Sequence, residues 1–86
     1  MEAFRLYTED TNRPFIQSEM AKAFDSFSMF EAIGVWHNSQ ELSLCVEVLA
    51  DSNAEVTLEA IADRIKHENN QEAVLITRQP ITAKLI

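Results

Sequence analysis

The side chains in this chain that could do chemistry fall into three groups along the sequence. The first holds Arg5, Tyr7, Glu9, Asp10 and Arg13. The second holds Trp36, His37, Gln40, Glu41 and Ser43. The third is Gln71 and Glu72, with Arg78 following. Glu41 and Glu72 could form a carboxylate pair in which one acid has a raised pKa, as in general acid–base catalysis. Tyr7, His37 or Glu41 could serve as acid or base. Trp36 could stack on a base while Arg5, Arg13 or Arg78 meets a phosphate. Each group also has a plainer reading. The glutamates can be a solvated pair, and Arg5, Tyr7, Glu31, Glu47 and Arg78 can form structural ion pairs on an open sheet face or at a subunit interface.

Other chemistries find no support. Ser43 has no histidine at a predictable distance, so a nucleophile triad is not indicated. His37 and His67 are the only histidines and Cys45 the only cysteine, and no His/Cys spacing suits zinc. Gly34 is the single glycine, too few for a phosphate-cradling loop. The sequence therefore assigns no catalytic residue, no metal and no cofactor.

Eighty-six residues fit one domain, residues 1–86. A domain this small buries roughly 60% of its unfolded surface, and small domains often gain stability by self-association. Fourteen acids against seven bases give a net charge of −7. That balance argues against direct nucleic-acid binding, which needs clustered Lys and Arg. It suits a cytoplasmic protein, or one that docks on a basic surface of a protein partner. One cysteine excludes a disulfide framework, and its place in an apolar run points to a buried thiol. MEAFRLYTED lacks a basic-then-apolar signal, and no apolar run approaches the ~20 residues of a membrane helix.

The elements that must position these groups centre on Phe27 to Leu49, where two apolar runs flank His37-Asn38-Ser39-Gln40, a β-hairpin signal. In its first strand Met29, Glu31, Ile33 and Val35 share one side, and Phe30, Ala32, Gly34 and Trp36 the other. Leu42, Leu44, Val46 and Val48 oppose Ser43, Cys45, Glu47 and Leu49 in the second. Neither face is wholly polar, so Phe30, Trp36, Cys45 and Leu49 predict a face that a single copy leaves uncovered. Gly34 inside the strand predicts a bulge or a close approach. Ala3–Thr8 reads as a strand. A helix follows from about Arg13 to Phe24, with Thr11 or Asn12 as its cap and Pro14 in its first turn. Ile16, Met20, Ala23 and Phe24 form its apolar face, with Gln17, Glu19 and Lys22 pointing away. A second helix spans about Ala54–Asn69, capped by Ser52 or Asn53, with Leu58, Ile61, Ala62 and Ile65 inward. Glu72–Arg78 reads as the last main strand, ended or placed at an edge by Pro80. Ile81–Ile86 alternates as a candidate short fifth strand.

The order β-α-β-β-α-β predicts an α+β, ferredoxin-like sandwich: an antiparallel sheet with two helices on one face. In that topology Tyr7–Arg13, Trp36–Glu41 and Asn69–Glu72 converge on one sheet edge. Polar loops populate any sheet edge, so ordinary surface competes with a functional site there.

Three blocks, Gly34-Val35-Trp36, Glu41-Leu42-Ser43 and Gln71-Glu72-Ala73-Val74-Leu75, resemble a family of small bacterial proteins of unknown function. Its members carry Gly-x-Trp, Glu-x-Ser and Gln-Glu-[Ser/Ala]-Val-Leu in that order on a ferredoxin-like chain. The resemblance covers about the C-terminal two thirds, and the hairpin loop here is shorter than the family's. It implies fold rather than activity, and marks Trp36, Glu41, Ser43, Gln71 and Glu72. A fainter similarity, in fold and hairpin character alone, is to trimeric signalling proteins that bind nucleotides between subunits.

Three functional classes follow. The first is a small acidic, non-enzymatic interaction protein, self-associating as a dimer or trimer and binding a protein partner, a class that includes phage-encoded inhibitors. The second is a small-ligand or nucleotide-signal binding module with a site at the sheet edge or between subunits, for a small anionic ligand. The third, a ferredoxin-like dimeric enzyme, rests on fold analogy alone. The candidate binding residues across these readings are Arg5, Tyr7, Arg13, Trp36, His37, Glu41, Ser43, Gln71, Glu72 and Arg78.

Overall fold

The alternation at the N-terminus becomes strand β1 (Glu2–Glu9), with Phe4, Leu6 and Thr8 buried on one side. A computed structural model describes residues 1–86. After β1 come α1 (Arg13–Ala23), β2 (Ser28–Trp36), β3 (Ser39–Ala50), α2 (Ala54–Glu68) and β4 (Leu75–Pro80). The strands form one antiparallel sheet in the order β2-β3-β1-β4, and both helices lie on one face, the ferredoxin-like arrangement expected from the element order.

The core lies between that face and the helices. Phe4, Leu6, Leu44, Val46 and Val48 of the sheet meet Ile16 and Met20 of α1 and Leu58, Ile61, Ala62 and Ile65 of α2. The α2 stripe is the one its periodicity predicts. Truncating one of these fully buried side chains, as in Ile65→Ala, removes contacts worth about 2–5 kcal/mol.

The hairpin is tighter than its polar run suggested. Only His37 and Asn38 lie in the loop, with φ of 51° and 63°. Positive φ at both positions is the type I′ geometry that matches strand twist. Pairing runs unbroken from Ser28↔Glu47 to Trp36↔Ser39, so Gly34 marks a close approach and not a bulge. A Cβ there would stand 2.5 Å from Ser43 Oγ.

Several local expectations are corrected. Helix α1 ends at Ala23, which is exposed, and Phe24 is already extended. Glu19 points inward: it is 4% exposed and held by Lys22 and Arg64. Neither Asn12 nor Asn53 makes a side-chain capping bond, although each is the N-cap residue. β4 begins at Leu75, three residues later than expected, because Gln71–Val74 closes the end of the sheet instead of pairing. Pro80 sits on edge strand β4, where a missing N–H leaves no ladder bond unmade. Residues 81–86 form no strand in this chain. Their one backbone tie is the Ile81 N–H donated to the Met1 carbonyl at 3.1 Å.

Candidate functional site

Three separated segments meet at one end of the sheet, as the topology required. The end of α2 sets the third of them. Asn70 takes φ 52°, the Asn70 N–H reaches the His67 carbonyl at 3.3 Å, and the Gln71 N–H reaches that of Lys66 at 2.9 Å. This is a Schellman closure with Asn in the left-handed position, and it aims Gln71 back into the protein. Gln71 is 6% exposed. Its Oε1 accepts from Thr8 Oγ1 at 2.8 Å and from the Glu9 N–H at 3.1 Å. Because Glu9 N–H is a donor, the amide orientation is fixed, and Nε2 is left without an acceptor. Alongside, Asn12 Nδ2 donates to Asn69 Oδ1 at 3.2 Å and Asn69 Nδ2 to the Thr11 carbonyl at 3.1 Å.

The hairpin supplies the other wall. β1 stops pairing at Glu9↔Ser43, and Asp10 N–H adds one bond to the Leu42 carbonyl at 2.9 Å. Beyond that point β2 and β3 continue as a two-stranded ribbon through Ile33↔Leu42 and Gly34↔Glu41. Antiparallel partners share a face. Gly34, Trp36, Glu41, Ser43, Tyr7, Glu9 and Leu75 therefore all lie on the face away from the helices. Trp36 Nε1 donates to Glu72 Oε2 at 3.0 Å. That bond joins the end of one outer strand to the segment before the other, across β3 and β1 between them.

The result is a cavity of ≈ 380 Å³. Strand positions Tyr7, Thr8 and Glu9 line one part of it, and Gly34, Val35, Trp36, Glu41 and Ser43 a second. Glu72 to Leu75 completes it. The volume lies in the range of small-molecule sites. Gly34 keeps the wall low beside Ser43. His37 stands at the margin, its ring edge-on to Trp36 at 5.1 Å and its Nε2 3.8 Å from Glu72 Oε2.

Of the ten nominated residues, Tyr7, Trp36, Glu41, Ser43 and Glu72 line this cavity. His37 adjoins it, and Gln71 braces its Thr8–Glu9 wall. The arginines are elsewhere. Arg5 pairs with Glu47 across β1 and β3 at 2.7 Å. Arg13 holds Asp10 at 2.6 Å and Glu31 at 2.9 Å, keeping the Asp10 carboxyl below its ordinary range. Arg78 lies toward the opposite end of the sheet, 3.1 Å from Glu55 and 3.4 Å from Glu2. The expected ion-pair cluster on the open face thus reduces to Arg5 and Glu47 beside Tyr7. Glu31 and Arg78 are on the helix side, opposite Leu44 and Phe4. No Lys, Arg or His lines the cavity, while Glu9, Glu41 and Glu72 do. Thr8 and Val74 belong to the site although the sequence singled out neither, and Glu9, one of the polar groups at this edge, belongs to it although it is not among the ten binding candidates. Alternation from Tyr7 puts Glu9 on the same face, and that was the available signal for it. Cys45, next to Tyr7 in the register, is buried, and desolvation pushes its thiol up.

No protein-family model matches the sequence, and no curated protein matches it. Solved structures do. A DUF3240 family protein from Shewanella baltica OS155 superposes with a TM-score of 0.75 over 99% of this chain and 93% of that one, at 10% identity. A phage SAM lyase in its apo state gives 0.71 over 91% of this chain and 78% of that one, at 14% identity. Identities this low establish a shared fold. The first neighbour is from a small uncharacterised family; what it shares with this chain is the ferredoxin-like fold.

Proposed function

We propose that this chain is a small-ligand-binding protein of the cytoplasm whose site is the cavity under the Trp36–Glu72 bond. The observation that supports it is convergence. Gly34 and Trp36, Glu41 and Ser43, and Glu72 to Leu75 come from three sequence blocks and line one ≈ 380 Å³ space. Cavity size, a half-exposed indole and several carboxylates together suit capture of a metabolite better than they suit a featureless sheet end. The cavity favours this reading over a non-enzymatic interaction protein. One structural neighbour is by name a SAM lyase, which makes S-adenosylmethionine the first compound to try. A thermal-shift panel of metabolites led by it tests the reading. A ligand at 100-fold its dissociation constant adds ~2.7 kcal/mol, and each kcal/mol moves the midpoint of a domain this size by about 4–8 °C. A panel that leaves both the midpoint and Trp36 fluorescence unchanged counts against it.

A second reading rests on a separate observation. On the helix side of the ribbon Ile33 and Leu42, paired with each other, are each 71% exposed beside exposed Val35, and on the open face Phe30, Leu49 and Leu75 are exposed. This supports self-association as a dimer or trimer, with or without a protein partner. Size-exclusion chromatography with light scattering tests it: a strict monomer at high micromolar concentration removes it.

A further inference from the structure

We infer that the ligand of this cavity is an organic cation carrying a flat ring, and not the anion that the arginines suggested. The inference rests on the proposed site and deepens it. Three carboxylates, Glu9, Glu41 and Glu72, line the cavity, and no basic side chain does. Arg5, Arg13 and Arg78, the cations that could have served an anion, are each engaged by acids outside it. The wall also presents two aromatic rings. Trp36 spends its N–H on Glu72, which holds the indole in place, and the half-exposed ring, packed at 80° to His37, still offers π surface to the cavity. Tyr7 lines the cavity with Glu9 from the same strand face. Ring faces carry negative potential, so they and the carboxylates favour the same charge. A net charge of −7 attracts cations from solution in the same sense. The flat ring follows from the aromatic wall: Trp36 and Tyr7 both line the cavity, and a planar cation can stack on an indole face.

The test uses three ring compounds of similar outline and different charge: N1-methylnicotinamide (cation), nicotinamide (neutral) and nicotinate (anion). Trp36 is the only tryptophan, so its indole N–H gives a single resonance that reports on the site. The expected result is saturable movement of that resonance by the cation, with the neutral compound at least about tenfold weaker and the anion weaker still. Replacing Glu41 by Gln, or Glu72 by Gln, is expected to weaken the cation by about tenfold, while Glu59→Gln on α2 leaves it unchanged. Raising salt from low to moderate ionic strength should weaken the cation and not the neutral compound. Equal or tighter binding of the neutral compound or the anion overturns the inference and leaves the site reading intact. So does cation binding that ignores both substitutions and salt. If none of the three moves the indole, the cation inference falls, and the metabolite panel decides the site reading separately.

Discussion

Gly34→Ala should destabilise the protein, and a second substitution at Ser43 should restore it. The added Cβ falls 2.5 Å from Ser43 Oγ but 3.6 Å from Ser43 Cβ and 3.6 Å from Glu41 Cγ. Only the hydroxyl is in conflict, because the other two distances are ordinary contact. The backbone at Gly34 does not need positive φ. Alanine there would otherwise gain about 0.5–1 kcal/mol through the unfolded state. Overpacking costs about 1–3 kcal/mol, so the net expectation for Gly34→Ala is a loss of about 1 kcal/mol. Ser43→Ala, at a half-buried position, should stay within about 0.5 kcal/mol of the parent. The double variant should match or slightly exceed the parent, giving a coupling of about 1–1.5 kcal/mol, well above the ~0.3–0.5 kcal/mol scatter of independent sites. Urea unfolding followed by far-UV circular dichroism reads all four corners of the cycle. Additive behaviour would refute the reasoning, because it would mean that Gly34 is not placed against the Ser43 hydroxyl.

Other outcomes follow from the same structure. Asn38→Gly should stabilise by about 1 kcal/mol, since φ of 63° penalises any residue with a Cβ; an unchanged urea midpoint would contradict the type I′ turn. Glu19→Gln should cost about 1–3 kcal/mol near neutral pH, because hydrogen bonds from Lys22 and Arg64 hold the buried carboxylate ionised and below its ordinary 4.5. A depressed folded pKa contributes stability above pH 4.5 and loses it as pH falls through the folded value, so the gap between Glu19→Gln and the parent should close in acid. A gap that persists to low pH would count against this ion triad. Cys45 is buried and its thiol is pushed up by desolvation, so thiol reagents should label it only at the rate of unfolding; fast labelling of the native protein would contradict its placement.

Much of this architecture was legible because it rests on period. Leu58, Ile61, Ala62 and Ile65 read as a stripe and pack as one, and the hairpin alternation placed Gly34 and Trp36 together before any register was known. From element order alone came the meeting of Tyr7–Arg13, Trp36–Glu41 and Asn69–Glu72. What the sequence could not show was which charges find each other. Arg13 bridges Asp10 and Glu31 because α1 starts beside β2 on the helix side, a fact of packing and not of spacing. Glu19 has a polar residue's identity in a periodic pattern, yet α2 brings Arg64 over it and makes burial tolerable. The late start of β4 was hidden for a similar reason. Gln71–Val74 has the composition of a strand, but the left-handed Asn70 turns Gln71 inward to Thr8 and Glu9 before pairing begins. The charge of the cavity wall was not legible either: Arg5, Arg13 and Arg78 stand out in the sequence, but packing pairs them with acids elsewhere and lines the cavity with Glu9, Glu41 and Glu72.

The most direct measurement is a backbone and indole N–H shift map on titration with the compound that most raises the melting temperature. Shifts are predicted to concentrate at Tyr7–Glu9, Gly34–Trp36, Glu41–Ser43 and Glu72–Leu75, with the Trp36 indole among the largest. Shifts confined to the outer surfaces of α1 and α2, or to the Arg78 end of the sheet, would contradict the placement of the site.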